Sequence, residues 1–462
     1  MSKNSINRRD FLSSAAMMGA AGTMGAGALL TSCGGAKEPA LVPLRPEAEW
    51  NLPADPLIDK ASDGAELKVG LVGCGGQGTG DLVNLLFAAD GIKVAALGDM
   101  FMDRINSCRS KLKEDKRLTE AGKNQEVPDE MCFLGFDAYQ KVIDAVDIVM
   151  LVTPPAFRPI HFKAAVAAGK HVFMEKPLAV DPVGARSILT TAKQADAQGL
   201  CVITGTQRHH QRVYTEAYKQ VQSGLIGEIV GGNVYWNQNQ LWFKSKQKEW
   251  TDMEWMIRDW VNWCWLSGDH IVEQHVHNID VFNWFSGLKP VKCTGFGAHH
   301  RRVTGDQYDM FSVDYTYEGG IHLHSMCRQI DGCAGPVAER IQGTKGVWTS
   351  AGVITDLKGN ELWKFDREKE KEEFATNNPT VLELANWVDR IRTNKPINLA
   401  EETAISSLTA MMGRISAYTG AEVTWEEIMA MDMNLLPEDL VLKNMDMSKF
   451  ARPVPGKAKE VK

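Results

Sequence analysis

The chain has 462 residues, 44% hydrophobic and 24% charged, with a net charge of −7. At roughly 100–200 residues per domain this allows two or three domains with ample core. The mild acidity and the lack of a basic stretch exclude a nucleic-acid footprint. Nine scattered cysteines without a C-x-x-C pair argue against a zinc ribbon and a disulfide-built fold.

Residues 1–33 carry an export address. Arg8-Arg9-Asp10-Phe11-Leu12 is a twin-arginine motif, followed by a weakly hydrophobic, glycine-rich run from Ala15 to Leu30. Leu30-Thr31-Ser32-Cys33 resembles a bacterial lipobox, so cleavage before Cys33 would leave a lipidated N-terminus. The expected product is a membrane-anchored periplasmic lipoprotein. The twin-arginine route exports folded proteins, commonly with a cofactor already taken up, so a redox cofactor carried this way must be tightly held. Residues 34–66 read as a linker.

Leu67–Val72 reads as a buried parallel strand. Gly73-Cys74-Gly75-Gly76-Gln77-Gly78 follows, matching G-x-G-x-x-G, and then a helical pattern over 81–89. Strand, glycine loop and helix in that order form a dinucleotide site: backbone N–H groups approach the pyrophosphate and the helix N-terminus favours its charge. The next strand, 93–97, leads to Asp99, placed to bind the ribose hydroxyls. Its carboxylate would repel a 2′-phosphate, which favours NAD over NADP. The alternative reading of Asp99 is a helix cap. A further buried strand over 146–152 ends in Thr153-Pro154-Pro155. A helix over 157–168 and another strand then lead to Glu175-Lys176-Pro177.

The glycine loop, Thr153-Pro154-Pro155, His161, the Ala-Gly-Lys-His-Val run and Glu175-Lys176-Pro177 together resemble the glucose–fructose oxidoreductase / inositol dehydrogenase / MocA family. The resemblance extends from about Leu67 to Glu427. It implies an N-terminal Rossmann domain (67–200) and a C-terminal α+β domain (201–435) with a largely antiparallel open sheet, before a tail (436–462). It implies a cis bond before Pro177, with Lys176 held beside the nicotinamide. Gly73, Gly75, Gly76, Gln77, Gly78, Asp99, Thr153, Pro154, Pro155, His161, Glu175, Lys176 and Arg208 become the candidate cofactor residues. In this family the open sheet face forms dimers or tetramers.

In the second half, eight of thirteen tryptophans fall between Trp236 and Trp284. Indole rings stack on the C–H faces of sugars, so the group suggests a carbohydrate cleft, although single members serve more often as core. The segment from Gly268 to Asp280 matches the family's stretch with an acid and a histidine four residues apart. The acid is Glu273 where relatives carry Asp, and the resemblance makes His277 the catalytic base and Lys176 its partner. On one continuous helix His270, Glu273 and His277 share a face. They could then bind a divalent metal, the less favoured reading, or form a polar wall for substrate hydroxyls. His209, Trp260, His270, His275 and Asp280 are the candidate substrate residues.

Phe311–Tyr317 and Ile321–Met326 alternate around Glu318-Gly319-Gly320 and predict a hairpin. Residues 381–394 and 403–420 predict amphipathic helices, and the charge run 367–373 a solvated face. The expected function is NAD-dependent oxidation of a hydroxyl on a sugar or glycoside. The alternatives are an NAD-dependent glycosidase, working by transient oxidation, elimination and re-reduction, and a binding protein on a retired enzyme fold.

Overall fold

A computed structural model describes residues 57–456. The twin-arginine motif, the lipobox and most of the expected linker lie outside these residues.

The first layer alternates strands and helices as the sequence predicts. It contains β1 (Leu67–Val72), α1 (Gly76–Ala88), β2 (Ile92–Asp99), α2 (Met102–Glu114), α3 (Lys116–Glu120) and β3 (Cys132–Leu134). It continues with α4 (Ala138–Asp144), β4 (Ile148–Leu151), α5 (Arg158–Ala167), β5 (His171–Met174), α6 (Pro182–Ala197) and β6 (Val202–Thr204). The six strands are parallel in the order β3-β2-β1-β4-β5-β6. The strand order reverses between β1 and β4, which opens a crevice at their C-terminal ends where ligands of such sheets bind. β1 and β4 are apolar runs because helices cover both sheet faces.

The second layer begins with α7 (Arg212–Gln222) and β7 (Ile229–Gln238). An irregular excursion over residues 239–251 leads to the short helices α8 (Asp252–Arg258), α9 (Cys264–Ser267) and α10 (His270–Glu273), and to α11 (Val276–Ser286). Then come β8 (Pro290–Ala298), β9 (Met310–Tyr317), β10 (His322–Gln329), β11 (Val337–Gly343), β12 (Gly346–Thr349), β13 (Val353–Asp356) and β14 (Glu361–Lys364). The chain closes with α12 (Arg367–Glu373), α13 (Pro379–Arg392), α14 (Ala400–Thr419), β15 (Val423–Thr424) and α15 (Trp425–Ala430). The nine strands run β14-β13-β12-β11-β7-β10-β9-β8-β15, antiparallel apart from the β7–β10 pair. The expected hairpin is β9–β10, turned by Glu318–Gly320 with Gly319 at φ 73°. Alternation along β8 turns Cys293 and Gly295 inward and leaves Phe296 73% exposed on the other face. The charge run forms α12, which has no buried residue.

Three boundaries differ from expectation. Residues 57–66 belong to the folded body: Ala61 donates to Ala88 O, Arg392 donates to Ser62 O, and Arg212 pairs with Asp59. β6 completes the first sheet, so that sheet ends at Thr204 and not at residue 200. The tail beyond residue 435 packs as well. Leu436, Leu440, Leu442, Met445, Met447 and Phe450 lie against a buried cluster of Phe101, Phe157, Met253, Met256, Trp263 and Trp265. Apolar residues spaced irregularly along a coil carry no period, which is why the tail was not legible.

Candidate active site

A cavity of about 780 Å3 runs along the C-terminal ends of β1, β2 and β4 and beneath the second layer. Part of its floor is the glycine loop. Gly73 sits at φ 102°, where an added Cβ would lie 2.6 Å from Val152 backbone atoms. At Gly78 an added Cβ would meet Gly73 O at 2.0 Å, which forces α1 close to the turn. Gly75 and Gly76 instead face open space at the start of α1. These glycines therefore divide between two that close the turn and two that leave a cradle before a helix N-terminus. A dinucleotide pyrophosphate fits that cradle.

Asp99 lies at the end of β2 and accepts from Cys74 N at 2.7 Å and Phe101 N at 3.0 Å, so it braces the glycine loop while lining the cavity. Burial pushes its carboxyl up. Thr153 and Pro154 line the cavity with His161, whose Nδ1 lies 3.3 Å from Thr153 Oγ1. Burial and the charge of Arg158 push His161 down to about 3, so it is neutral, stacked between Tyr139 and Phe157. Pro155 starts the following turn and is not among the lining residues.

The strand β5 delivers Glu175-Lys176-Pro177 to the same crevice, and the Lys176–Pro177 bond is cis. Arg158 Nη1 donates to Pro177 O at 2.5 Å and fixes this turn. Gln77 Nε2 bridges Asp81 Oδ1 (2.9 Å) and Glu175 Oε1 (3.3 Å). Burial raises both carboxyls.

The opposite wall comes from the second layer. Lys176 Nζ donates to Glu273 O at 2.7 Å and to Glu273 Oε1 at 3.1 Å, which joins the two layers at one buried ion pair. His277 lines the cavity beside them and stacks on Trp236 with centroids 5.6 Å apart. Burial first, then the positive charges of Lys176 and Arg208, push its imidazole well down. A neutral imidazole next to an ammonium is a proton acceptor paired with a donor.

The expected single helix through this segment is not formed. It breaks at Gln274–His275 into α10 and α11. Glu273 and His277 still reach the cavity, but His270 and His275 do not. His270 Nδ1 lies 3.0 Å from Asp269 Oδ1 and its ring packs on Phe311. His275 Nε2 contacts Ser325 Oγ at 2.7 Å, and burial pushes it down to about 3. The shared His270–Glu273–His277 face is therefore lost. Among the described residues no group of three or more His, Cys, Asp or Glu is placed to hold a metal.

Other candidates also lie behind the wall. His209 Nε2 bonds Asp280 Oδ2, its ring stacks on Trp284, and Asp280 Oδ1 accepts from Ser406. Arg208 pairs with Glu339 at 2.7 Å behind Trp236. Of the tryptophan group, Trp236, Trp242 and Trp260 line the cavity, whereas Trp263, Trp265 and Trp284 are buried. The sequence reading missed Gln207, Lys244 and Glu383 as lining residues. Gln207 stands beside the candidate Arg208. Glu383 arrives on α13, which docks on α1 from far along the chain and leaves no local signal.

A family described as "Oxidoreductase family, NAD-binding Rossmann fold" matches residues 67–206, and the GFO/IDH/MocA C-terminal domain matches 214–349. The chain belongs to the GFO/IDH/MocA family. NAD binding is thus the property of its first domain. It is 27% identical over 266 residues to a glycosyl hydrolase family 109 protein of Solibacter usitatus, covering 55% of this chain and 51% of that one. It is 25% identical over 220 residues to an inositol 2-dehydrogenase/D-chiro-inositol 3-dehydrogenase of Lactiplantibacillus plantarum, covering 47% and 51%. The chain spans about half the length of the curated relatives it matches. The fold is similar to scyllo-inositol dehydrogenase from Lactobacillus casei with bound NAD(H) and scyllo-inositol. The TM-score is 0.57 at 20% identity, covering 78% of this chain and 99% of that one.

Proposed function

We propose that this family member is an NAD-dependent oxidoreductase that oxidises one ring hydroxyl of a sugar or glycoside to a ketone. The observation that carries the reading is the Lys176–Glu273 pair beside a neutral His277, all facing one cavity with the glycine cradle. His277 accepts the hydroxyl proton, and Lys176 donates to the same oxygen and holds its growing negative charge. Glu273 keeps the ammonium in place. When bound, NAD supplies the acceptor for the hydride leaving the carbinol carbon. Gly75, Gly76 and Asp99 would hold that cofactor, with Thr153 and Pro154 across the crevice.

A second reading, an NAD-dependent glycosidase, is favoured by the similarity to the glycosyl hydrolase family 109 protein. Mass spectrometry separates the two. A glycoside and inositol panel is incubated with protein carrying its own cofactor, with and without an added hydride acceptor. A product lighter by two hydrogens, formed only with acceptor, supports the oxidoreductase. Free sugar without acceptor supports the glycosidase. No change on any compound removes both.

We further propose export through Arg8-Arg9 and anchoring at Cys33, with a tightly retained cofactor. Arg258 supports retention: it crosses from the second layer to lie 3.7 Å from the Phe101 ring centroid and pairs with Asp103 at 3.2 Å, at the rim beside Asp99. Membrane fractionation of Arg8→Lys/Arg9→Lys and Cys33→Ser variants tests the address. If both fractionate like the native protein, the address is wrong. The exposed β8–β9 sheet face bearing Phe296 suits a homodimer or homotetramer, which light scattering would measure.

A further inference from the structure

The irregular stretch after β7 is held in an unusual way. Residues 239–247 form neither helix nor strand, yet their main chain is tied at several points. Asn262 Nδ2 donates to Trp242 O at 3.2 Å, Lys244 N donates to Asp259 Oδ1 at 2.7 Å, and Trp255 Nε1 donates to Lys244 O at 2.6 Å. Gln240 N donates to Asp331 Oδ1 at 2.9 Å. Asp259 and Asn262 are fully buried and bonded to each other, and Arg302 Nη1 braces Asn262 Oδ1 at 2.9 Å. Breaking the bonds of the buried Asp259 Oδ1 and Asn262 Nδ2 would leave them unpaired away from water, so the loop is fixed by the interior beneath it.

What this anchoring displays is an indole. Trp242 is 47% exposed although it lines the cavity. Trp260 meets it at 6.3 Å between centroids and 69° between planes, so the pair forms a corner of one aromatic face and one edge. Lys244 lines the cavity next to them and brings a cationic donor. The cavity has another aromatic station, Trp236, stacked on His277 at the Lys176–Glu273 pair. An indole carried on an anchored main chain suits the C–H face of a sugar or aryl ring, and a lysine two residues on suits ring hydroxyls.

We propose that Trp242 and Trp260 form a distal subsite, and that the substrate is a glycoside with two rings. The reacting ring lies by Trp236 and His277, and the second ring stacks on Trp242 with Lys244 donating to its hydroxyls. This rests on the oxidoreductase reading and narrows it, from any sugar or polyol to a disaccharide or aryl glycoside.

The test uses matched sugars and protein with its own cofactor bound. Methyl β-galactoside is compared with lactose, methyl α-glucoside with maltose, and methyl β-glucoside with cellobiose, with myo-inositol alongside. Titration calorimetry and tryptophan fluorescence measure binding, and initial rates measure turnover. In at least one pair the disaccharide should bind about ten-fold more tightly. Trp242→Ala should lose most of that advantage while weakening the methyl glycoside only about two-fold, and Trp242→Phe should keep most of it. An unchanged melting temperature and cofactor content exclude misfolding. Equal affinity within every pair in the native protein overturns the subsite. So does a Trp242→Ala variant that weakens both members equally or sheds cofactor, because Trp242 then serves the reacting ring or the dinucleotide. Oxidation of inositol or methyl glycosides without any second-ring advantage strikes the subsite alone. If none of these sugars binds or turns over, the oxidoreductase reading falls with it.

Discussion

The two walls of the cavity are built on different principles. The first-layer wall is built around backbone: strand ends, a glycine turn and a helix N-terminus placed by the sheet order, with side chains such as Asp99, Thr153 and His161 set about them. The second-layer wall is side chain: indoles, an imidazole and a carboxylate carried on β7, on α10 and α11 and on the irregular stretch between, held by buried polar pairs. A backbone site is tied to the fold that makes it, and it suits a cofactor common to many enzymes. A side-chain site can change without disturbing the sheet, so it suits the choice of substrate. The Lys176–Glu273 pair is where the walls meet, and the proposed chemistry draws on both.

The largest effect should come from that meeting point. Lys176→Met and His277→Asn should each lower kcat by about 10²–10⁴-fold while cofactor stays bound, as read by rates and by absorbance of the purified protein. If both variants keep near-native rates, the proton donor and acceptor lie elsewhere and the two walls do not cooperate.

Within the backbone wall, two neighbouring glycines should respond differently. Gly78→Ala places a methyl 2.0 Å from Gly73 O and should cost about 1–3 kcal/mol of stability. Gly76→Ala meets nothing and should melt like the native protein, but it should lose cofactor because the methyl fills the cradle. Thermal unfolding and released NAD measure the two. Equal melting temperatures would remove the distinction between turn and cradle. Across the walls, Arg258→Ala removes a clasp whose partner Asp103 is largely exposed. Worth about 1 kcal/mol, its loss should speed cofactor release about five-fold. Unchanged release would place retention in the glycine wall alone.

The same contrast governs what the sequence revealed. β1, the glycine loop and Asp99 are legible because spacing, and not remote contact, sets them, and the turn at Lys176 is legible through the family resemblance. Glu273 and His277 were legible through the motif, but His270 was misplaced. Continuous helical spacing puts it on the face of Glu273 and His277, whereas Asp269 at φ 74° starts a separate turn and Gln274 ends it. Arg208, His209 and Asp280 are expected at the site from the family resemblance. Tertiary pairing with Glu339, Trp284 and Ser406 turns them into supports behind the wall. The loop over 239–247 had no period to find, since its anchors, Asp259, Asn262 and Asp331, lie elsewhere in sequence.

The smallest expected effect tests whether those supports tune the base. Burial and the charges of Lys176 and Arg208 all disfavour the imidazolium of His277, so its pKa is depressed. A depressed base stays unprotonated to lower pH, which carries the acid limb of kcat/KM below where an ordinary histidine would put it. Lys176 is the proposed proton donor and is left in place, whereas Arg208 acts on His277 only through space. Replacing Arg208→Met alone would strand buried Glu339, so the pair is neutralised together as Arg208→Met/Glu339→Gln. With one repelling charge gone, the pKa of His277 rises and the acid limb should move to higher pH, while the plateau rate changes little. Burial and Lys176 remain, so the limb should stop short of the ordinary histidine range. An unmoved limb in a folded, cofactor-loaded double variant would mean that His277 is not the titrating base, and the side-chain wall would then bind substrate without taking its proton.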